Sequence, residues 1–166
     1  MTMRFCIIAS ALVSVWMLTA CGGLDPNEVR PYSGIRGTVT YVGGSAAWPT
    51  DSIYDVRVVA FEEKPLESAA VLASIILQRA AFSPISLPFH VASTSYEIEV
   101  LATPRTFTYV VVAMQNGPDF QKDWVMLDVY STSGDVTKPS IVIIPSGGTV
   151  NIDFRVDFAN LPPQPF

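Results

Sequence analysis

Alternation of apolar and polar residues is the main signal along the chain, and it is clearest near the C-terminus. Val150, Ile152, Phe154, Val156 and Phe158 occupy every second position, and the residues between them are polar or charged. Side chains two apart on a strand share a face. This segment therefore predicts a strand with one buried and one wet face, as is typical of antiparallel sheets.

Six further segments have strand patterns and are separated by turns rich in Gly, Pro, Asp and Ser. They lie at about 35–41, 55–61, 96–101, 106–114, 123–130 and 140–144. The segment at 55–61 has little polar content, which indicates a central strand, and the run at 109–113 is apolar on both faces. Together these patterns predict an all-β fold, an antiparallel β-sandwich of about seven strands.

One segment departs from the β pattern. Its apolar residues recur at spacings of three and four: Leu66, Ala69, Ala70, Ala73, Ile76, Leu77 and Ala80. That period is typical of an amphipathic helix, and Pro65 suits a first helical turn. We expect one short inserted helix at about 66–80, packed over an end or edge of the sheets.

The first twenty residues are organised as a secretory signal peptide. Arg4 is followed by an uncharged, mostly apolar run at 5–18, shorter than the about 20 residues that span a bilayer. Small residues then lead to Cys21. The segment L-T-A-C at 18–21 closely resembles the lipobox of bacterial lipoproteins, which implies cleavage before Cys21 and lipidation of its thiol. An ordinary signal peptide with a chance cysteine is the alternative.

Four parts are therefore predicted: a lipoprotein signal peptide at 1–20, a lipidated cysteine with a flexible tether at 21–33, the β-sandwich at 34–159 and a Pro-rich tail at 160–166. In enterobacterial lipoproteins an Asp after the cysteine favours the inner membrane, whereas Gly22 stands there in this chain. The resemblance thus implies a lipid anchor in the bacterial envelope, in the outer membrane rather than the inner.

Net charge and cysteine content limit the classes of partner and site that this chain can have. The net charge is −5, and removal of residues 1–20 takes away only the charge of Arg4 and leaves −6. Such a chain has no basic patch for nucleic acid or anionic lipid, so contact with the membrane is expected through the acyl chains alone. Cys6 and Cys21 are the only cysteines, and neither remains for a disulfide or a zinc site.

Three segments carry a resemblance to a known domain. They read I-R-G-T-V-T at 35–40, D-V-R-V-V-A-F at 55–61 and Y-E-I-E-V at 96–100. Over about 34–115 this order resembles carboxypeptidase-regulatory-like, or transthyretin-like, β-sandwich modules. The chain lacks their usual D-G-x-F turn before the third strand and carries the predicted helix there. Such modules are mostly non-catalytic, so the resemblance implies an accessory role.

Candidate chemistry is sparse. His90 is the only histidine, and no serine has the G-x-S-x-G context of a nucleophile elbow, so we expect no catalytic residue. The remaining candidates are carboxylates: Asp119, Asp123 and Asp128 lie close together but lack EF-hand spacing, and Glu97 and Glu99 alternate on the wet face of one predicted strand. Their positions favour solvated side chains over a calcium site or a glycosidase pair. We therefore predict no metal and no cofactor.

Aromatic residues in or near loops are the possible contacts for a ligand or partner. They are Trp48, Phe120, Trp124 and Tyr130. In the alternative, which we favour, Trp48 closes one end of the core and Trp124 packs within a strand. The predicted function is a non-enzymatic, membrane-anchored adaptor or structural module that binds an envelope protein. A carbohydrate-binding module using the loop aromatics is the alternative, and a hydrolase is less favoured.

Overall fold

The computed structural model describes residues 32–166. The predicted signal peptide, the predicted lipidation site Cys21 and the predicted tether up to position 31 lie outside the described residues. Within the described part, no helix combines the length and the apolar content needed to cross a bilayer.

Ten strands and one α-helix form residues 32–166, with a short 3₁₀ helix at Gly44–Ala47. In chain order they are β1 (Gly34–Tyr41), β2 (Asp55–Phe61), α1 (Ser68–Ile76), β3 (Ala80–Phe82), β4 (Ser93–Glu99), β5 (Arg105–Phe107), β6 (Tyr109–Gln115), β7 (Trp124–Val129), β8 (Val142–Ile144), β9 (Thr149–Asn151) and β10 (Phe154–Val156). The all-β class with one inserted helix is confirmed. The strands are shorter and more numerous than the seven predicted, and the helix ends before β3 rather than at about 80.

β1 is the central strand of the first sheet, whose order is β10–β1–β4, with β9 also paired to β1. β1 is antiparallel to β4 and parallel to β9 and β10. In β4, Tyr96 and Ile98 are buried while Glu97 and Glu99 are exposed. This alternation gives the sheet one face in the core and one face in solvent.

The C-terminal pairing corrects the prediction of a single antiparallel strand over 150–158. Two short strands occur there instead, both parallel to β1, because the ladder is interrupted between them. The Asp153 carboxylate accepts the Thr38 N–H at 2.8 Å, in place of a backbone carbonyl. Gly37 permits this crossing, since a Cβ at that position would overlap the carbonyl oxygen of Ile152. Alternation of burial nevertheless persists through the break, with Ile152 and Phe154 buried.

The second sheet has the order β3–β2–β6–β7, with all neighbours antiparallel. β2 is an inner strand of this sheet, which confirms the central position predicted for 55–61. Its neighbour β6 is also inner, and six of its seven residues are buried, in agreement with a run that is apolar on both faces. β5 and β8 form a separate two-stranded sheet.

The main core cluster draws side chains from both four-stranded sheets. Among its fully buried members are Ile35 of β1, Ile98 of β4, Val58 of β2 and Val112 of β6. A second cluster uses the alternate residues of the second sheet: Phe61, Tyr109, Val111, Met126 and Val129. Because side chains alternate along a strand, this cluster lies on the outer face of the second sheet.

Candidate functional site

Strand register builds the floor of a groove on the outer face of the second sheet. Arg57 of β2 lies opposite Ala113 of β6, and Ala113 lies opposite Met126 of β7. The next row with the same orientation holds Val59 and Val111. Alanine is the smallest side chain in these rows, so the floor is deepest where Ala113 stands between Arg57 and Met126.

The groove encloses about 610 Å³. One wall is α1, which contributes Val71, Leu72 and Ile75, all of them half-buried. Residues 164–166 of the C-terminal segment also line it. No residue of α1 is fully buried, so the helix covers the groove without closing tightly onto the sheet.

One side chain of the C-terminal segment hydrogen-bonds the edge of the second sheet. The Gln164 amide accepts the backbone N–H of Met126 at 2.7 Å and donates to its carbonyl oxygen at 3.1 Å. β7 is an edge strand, and these are the ladder groups that a further strand would use. Prolines flank Gln164 and lack the N–H needed for a strand ladder, so a side-chain amide satisfies the edge instead.

Polarity changes along the groove. At one end, the Arg57 guanidinium contacts the Asp55 carboxylate at 2.8 Å and donates to the Ser83 carbonyl oxygen at 2.7 Å. Lys122 also lines the groove and precedes Trp124 of β7, which lies opposite Gln115, itself opposite Asp55. It therefore belongs to the same end of the groove as Arg57, but on the other side of β6. We call this end, defined by Asp55, Arg57 and Lys122, the charged mouth.

The other end lies under α1 and is apolar, with Phe61, Tyr109 and Val71 in one cluster. The Tyr109 hydroxyl donates to the sulfur of Met126 at 2.7 Å, a weak acceptor. Burial raises the pKa of this phenol to about 12, because ionisation would place a charge among apolar side chains.

Two of the four predicted contact residues meet at the groove. Phe120 and Trp124 pack edge to face, with ring centroids 5.8 Å apart and an interplanar angle of 88°. The Trp124 indole N–H donates to the Phe120 carbonyl oxygen at 2.8 Å. Phe120 is 53% exposed and Trp124 is half-buried, so the pair forms an aromatic rim beside the charged mouth.

Trp48 and Tyr130 lie elsewhere. Trp48 is only 5% exposed and belongs to the main core, where its indole N–H donates to the Val91 carbonyl oxygen at 2.8 Å. Its ring contacts those of Tyr41 and Phe158, with centroids 4.3 and 5.0 Å away. Tyr130 packs edge-on against a core phenylalanine. Neither residue lines the groove, and the ring of Trp48 has no face available to a ligand.

Residues in α1 and at its two ends form a second apolar surface: Ala73 and Ile76 are in the helix, Leu66 precedes it and Leu77 is its C-cap. Leu66, Ile76 and Leu77 are 75%, 68% and 61% exposed, and Ala73 between them is exposed as well. These four residues, which we call the outer stripe, belong to the periodic set from which the helix was predicted. The structure turns these four members of the set towards solvent, and it is Val71, Leu72 and Ile75 that line the groove.

The acidic residues considered above serve as local acceptors. Asp123 accepts the Asp119 N–H at 2.8 Å, and Asp128 accepts the backbone N–H groups of Val129 and Arg155 at 2.8 and 2.9 Å. Burial raises the pKa of Asp128, although the two backbone donors oppose this shift. Within residues 32–166, no group of three or more His, Cys, Asp or Glu side chains is arranged to hold a metal ion.

No family model, curated protein or solved structure matches this chain. The groove and the outer stripe were not among the predicted site residues. The one signal that could have revealed the groove was the apolar outer face of β2 and β6, since a central strand with two apolar faces needs a cover on each.

Proposed function

We propose that this protein is a non-enzymatic adaptor of the bacterial envelope, held to the membrane by lipid on Cys21. Its two four-stranded sheets form a β-sandwich of the kind found in carboxypeptidase-regulatory-like modules. The outer membrane is the proposed location, from the Gly that follows the cysteine. The partner is an envelope protein that covers the outer stripe of α1.

The outer stripe is the observation that carries the proposal. A helix on the surface of a soluble domain normally has one apolar and one polar face, whereas a helix that is apolar all round is covered on both sides. α1 has apolar residues towards the groove, and it has Ala73 and Ile76 towards solvent, with two exposed leucines at its ends. Burying three large side chains that are each about two-thirds exposed would contribute roughly 3–6 kcal/mol to an interface.

The sandwich arrangement is supported by the main core, to which both sheets contribute buried side chains. In β4 and β10, buried and exposed residues alternate, so one face of the first sheet is in the core and the other is in solvent. This is the arrangement of sheets that pack in pairs. The three segments that carry the resemblance lie in β1 (35–40), in β2 (55–61) and in β4 with the residue that follows it (96–100).

Glycan binding is the second candidate, and the aromatic rim is the observation that favours it. Phe120 is exposed and lies beside Trp124. Their perpendicular rings do not form a flat platform for a sugar ring, and the buried Trp48 adds no third ring. We therefore rank glycan binding below the adaptor role.

The anchor is tested by Cys21→Ala. The variant should lose incorporation of labelled fatty acid and move from the detergent phase to the aqueous phase in a phase-partition assay. Cys6→Ala is the matched control, because it changes the other cysteine of the chain and should keep the label. A Cys21→Ala protein that is cleaved correctly yet stays with the membrane would contradict the lipid anchor.

The partner is tested by photo-crosslinking from the outer stripe in intact cells. A benzophenone amino acid at Ile76 should give a protein adduct of defined mass. The same amino acid at Ile143, which is 62% exposed on β8, is the matched control and should not give that adduct. Leu77→Glu should abolish the adduct while changing the free energy of unfolding by no more than about 0.5 kcal/mol, since Leu77 is exposed.

Two results would overturn the adaptor role. One is equal adduct yield at positions 76 and 143, which would mean that the stripe has no preferred partner. The other is an adduct with lipid alone at position 76, which would assign the stripe to the membrane surface.

A further inference from the structure

The groove under α1 is a cavity with walls, whereas the outer stripe is an exposed surface. Its volume of about 610 Å³ lies within the range of small-molecule sites, roughly 300–1,000 Å³. An α-helix about 10 Å wide would fill this volume with only about five residues. The space therefore suits a narrow ligand better than a helix of a partner protein.

The covered end of the groove selects against an extended peptide. Each residue of a peptide carries an N–H and a C=O, which must be paired when they leave water. Around Phe61, Val71 and Val111 the lining is apolar, and the Tyr109 hydroxyl already contacts the Met126 sulfur. A hydrocarbon chain has no polar group to pair and gains from every methylene that it buries.

The charged side chains at the mouth of the groove indicate which chemical group the second end of the ligand carries. Of the three ionised side chains that line the groove, Arg57 and Lys122 are cations and only Asp55 is an anion. Each cation has a carboxylate partner, Asp55 for Arg57 and the exposed Asp119 for Lys122, so a ligand anion would have to use donor groups that these pairs leave open. Lys122 is highly exposed, and its nearest carboxylate is that of Asp119 at 3.6 Å, so its ammonium can still turn to a ligand.

Arg57 is held in place for such a contact. Its Nε donates to Asp55 and its Nη1 to the Ser83 carbonyl oxygen, while Nη2 makes no hydrogen bond to any residue between 32 and 166. A guanidinium fixed by two partners presents its remaining N–H groups without loss of side-chain freedom on binding. A carboxylate is a matching acceptor for those groups.

We infer that the groove binds a long-chain carboxylate, with the hydrocarbon under α1 and the carboxylate at the charged mouth, hydrogen-bonded to Arg57. This site lies on the inner side of α1 and is independent of the protein partner proposed for the outer stripe. The ligand is a free single-chain fatty acid, because the groove has one covered apolar end and one charged end.

The test uses the full chain in its own membranes and a palmitic acid analogue with a mid-chain diazirine and a terminal alkyne. After irradiation, labelled peptides should map to the groove, on α1 and the 109–115 strand. Ala113→Phe places a ring on the floor and should reduce labelling about tenfold or more, equivalent to about 1.4 kcal/mol. Ala159→Phe is the matched control at an exposed position and should label like the wild type.

A second variant shows whether a loss of label is caused by filling the groove or by misfolding of the first variant. Ser68→Phe fills the groove from the helix wall, where Ser68 is half-buried, and should also lose the label. The charged mouth is tested with the matching primary alcohol, which should label about two- to fivefold more weakly, as one partly exposed ion pair predicts. Arg57→Gln should reduce the difference between acid and alcohol.

The outcomes separate this inference from the adaptor role. Labels outside the groove, or full labelling of both filled variants, would overturn the ligand site while leaving the adduct at position 76 unaffected. Equal labelling by acid and alcohol would show a neutral acyl site and overturn the carboxylate assignment. Loss of the adduct at 76 with fatty-acid labelling intact would contradict the adaptor role alone.

Discussion

Replacement of Trp48 separates a core residue from a ligand contact. A buried tryptophan removes about 150–250 Å² from water, which at about 25 cal/mol per Å² corresponds to roughly 4–6 kcal/mol. Trp48 is 5% exposed, so Trp48→Ala should lose most of this amount. The loss is a large share of the roughly 5–15 kcal/mol by which single domains are stable, and the variant should be close to unfolding.

Trp48→Phe gives a measurable intermediate. The phenyl ring keeps much of the contact with Tyr41 and Phe158, but the Val91 carbonyl oxygen loses its 2.8 Å donor. Leaving one buried acceptor unpaired costs about 1–3 kcal/mol. Trp124→Phe is the matched control, because its indole N–H bond is exposed, and it should change stability by no more than about 0.5 kcal/mol.

Urea unfolding followed by far-UV circular dichroism measures these differences without depending on tryptophan fluorescence. The expected order of destabilisation is Trp48→Ala, then Trp48→Phe, then Trp124→Phe. Glycan titration on the same proteins should give no signal that depends on Trp48. A Trp48→Ala protein that is destabilised by less than about 1 kcal/mol would refute the burial argument. Loss of glycan affinity at unchanged stability would assign Trp48 to a binding role.

Two further predictions concern the last strand and alkaline pH. Phe154 is 3% exposed and lies between the rings of Tyr96 and Tyr130, so Phe154→Ala should lower the free energy of unfolding by about 3–5 kcal/mol in a urea melt. Asn151→Ala, on the solvent side, should change it by no more than about 0.5 kcal/mol. Equal effects at the two positions would show that the alternation does not determine burial here. The pKa of Tyr109 is raised to about 12 from 10.0, so its contribution to stability is complete below pH 10 and is lost as pH rises towards 12. Tyr109→Phe should reduce the slope of stability against pH in this window by one proton, and an unchanged slope would contradict the burial of its hydroxyl.

Local periodicity determined a large part of the fold. The pattern at 55–61 predicted β2 to the residue, and the doubly apolar run at 109–113 falls within the buried strand β6. Alternation after position 150 predicted which side chains are buried even where the strand is broken. These features depend on neighbours two positions apart, so they can be inferred before any long-range contact is known.

Pairing and direction were decided by the tertiary structure. Nothing in the alternation of 150–158 distinguishes a parallel from an antiparallel neighbour, because both place alternate side chains on one face. The parallel pairing with β1 depends on Gly37, which admits the Ile152 carbonyl, and on Asp153, which takes the Thr38 N–H. Those contacts join residues more than a hundred positions apart.

The candidate site illustrates the same division. The sequence by itself determined that a short apolar helix follows β2, and it singled out Phe120 and Trp124, which line the groove. It could not determine which side of α1 faces the sheet, because Leu66, Ile76 and Leu77 are as apolar as the residues that line the groove. The tertiary structure decided which side of the helix turns inward, because that choice depends on the shape of the sheet beneath the helix. The helical period of apolar residues is the same for both sides and cannot distinguish them.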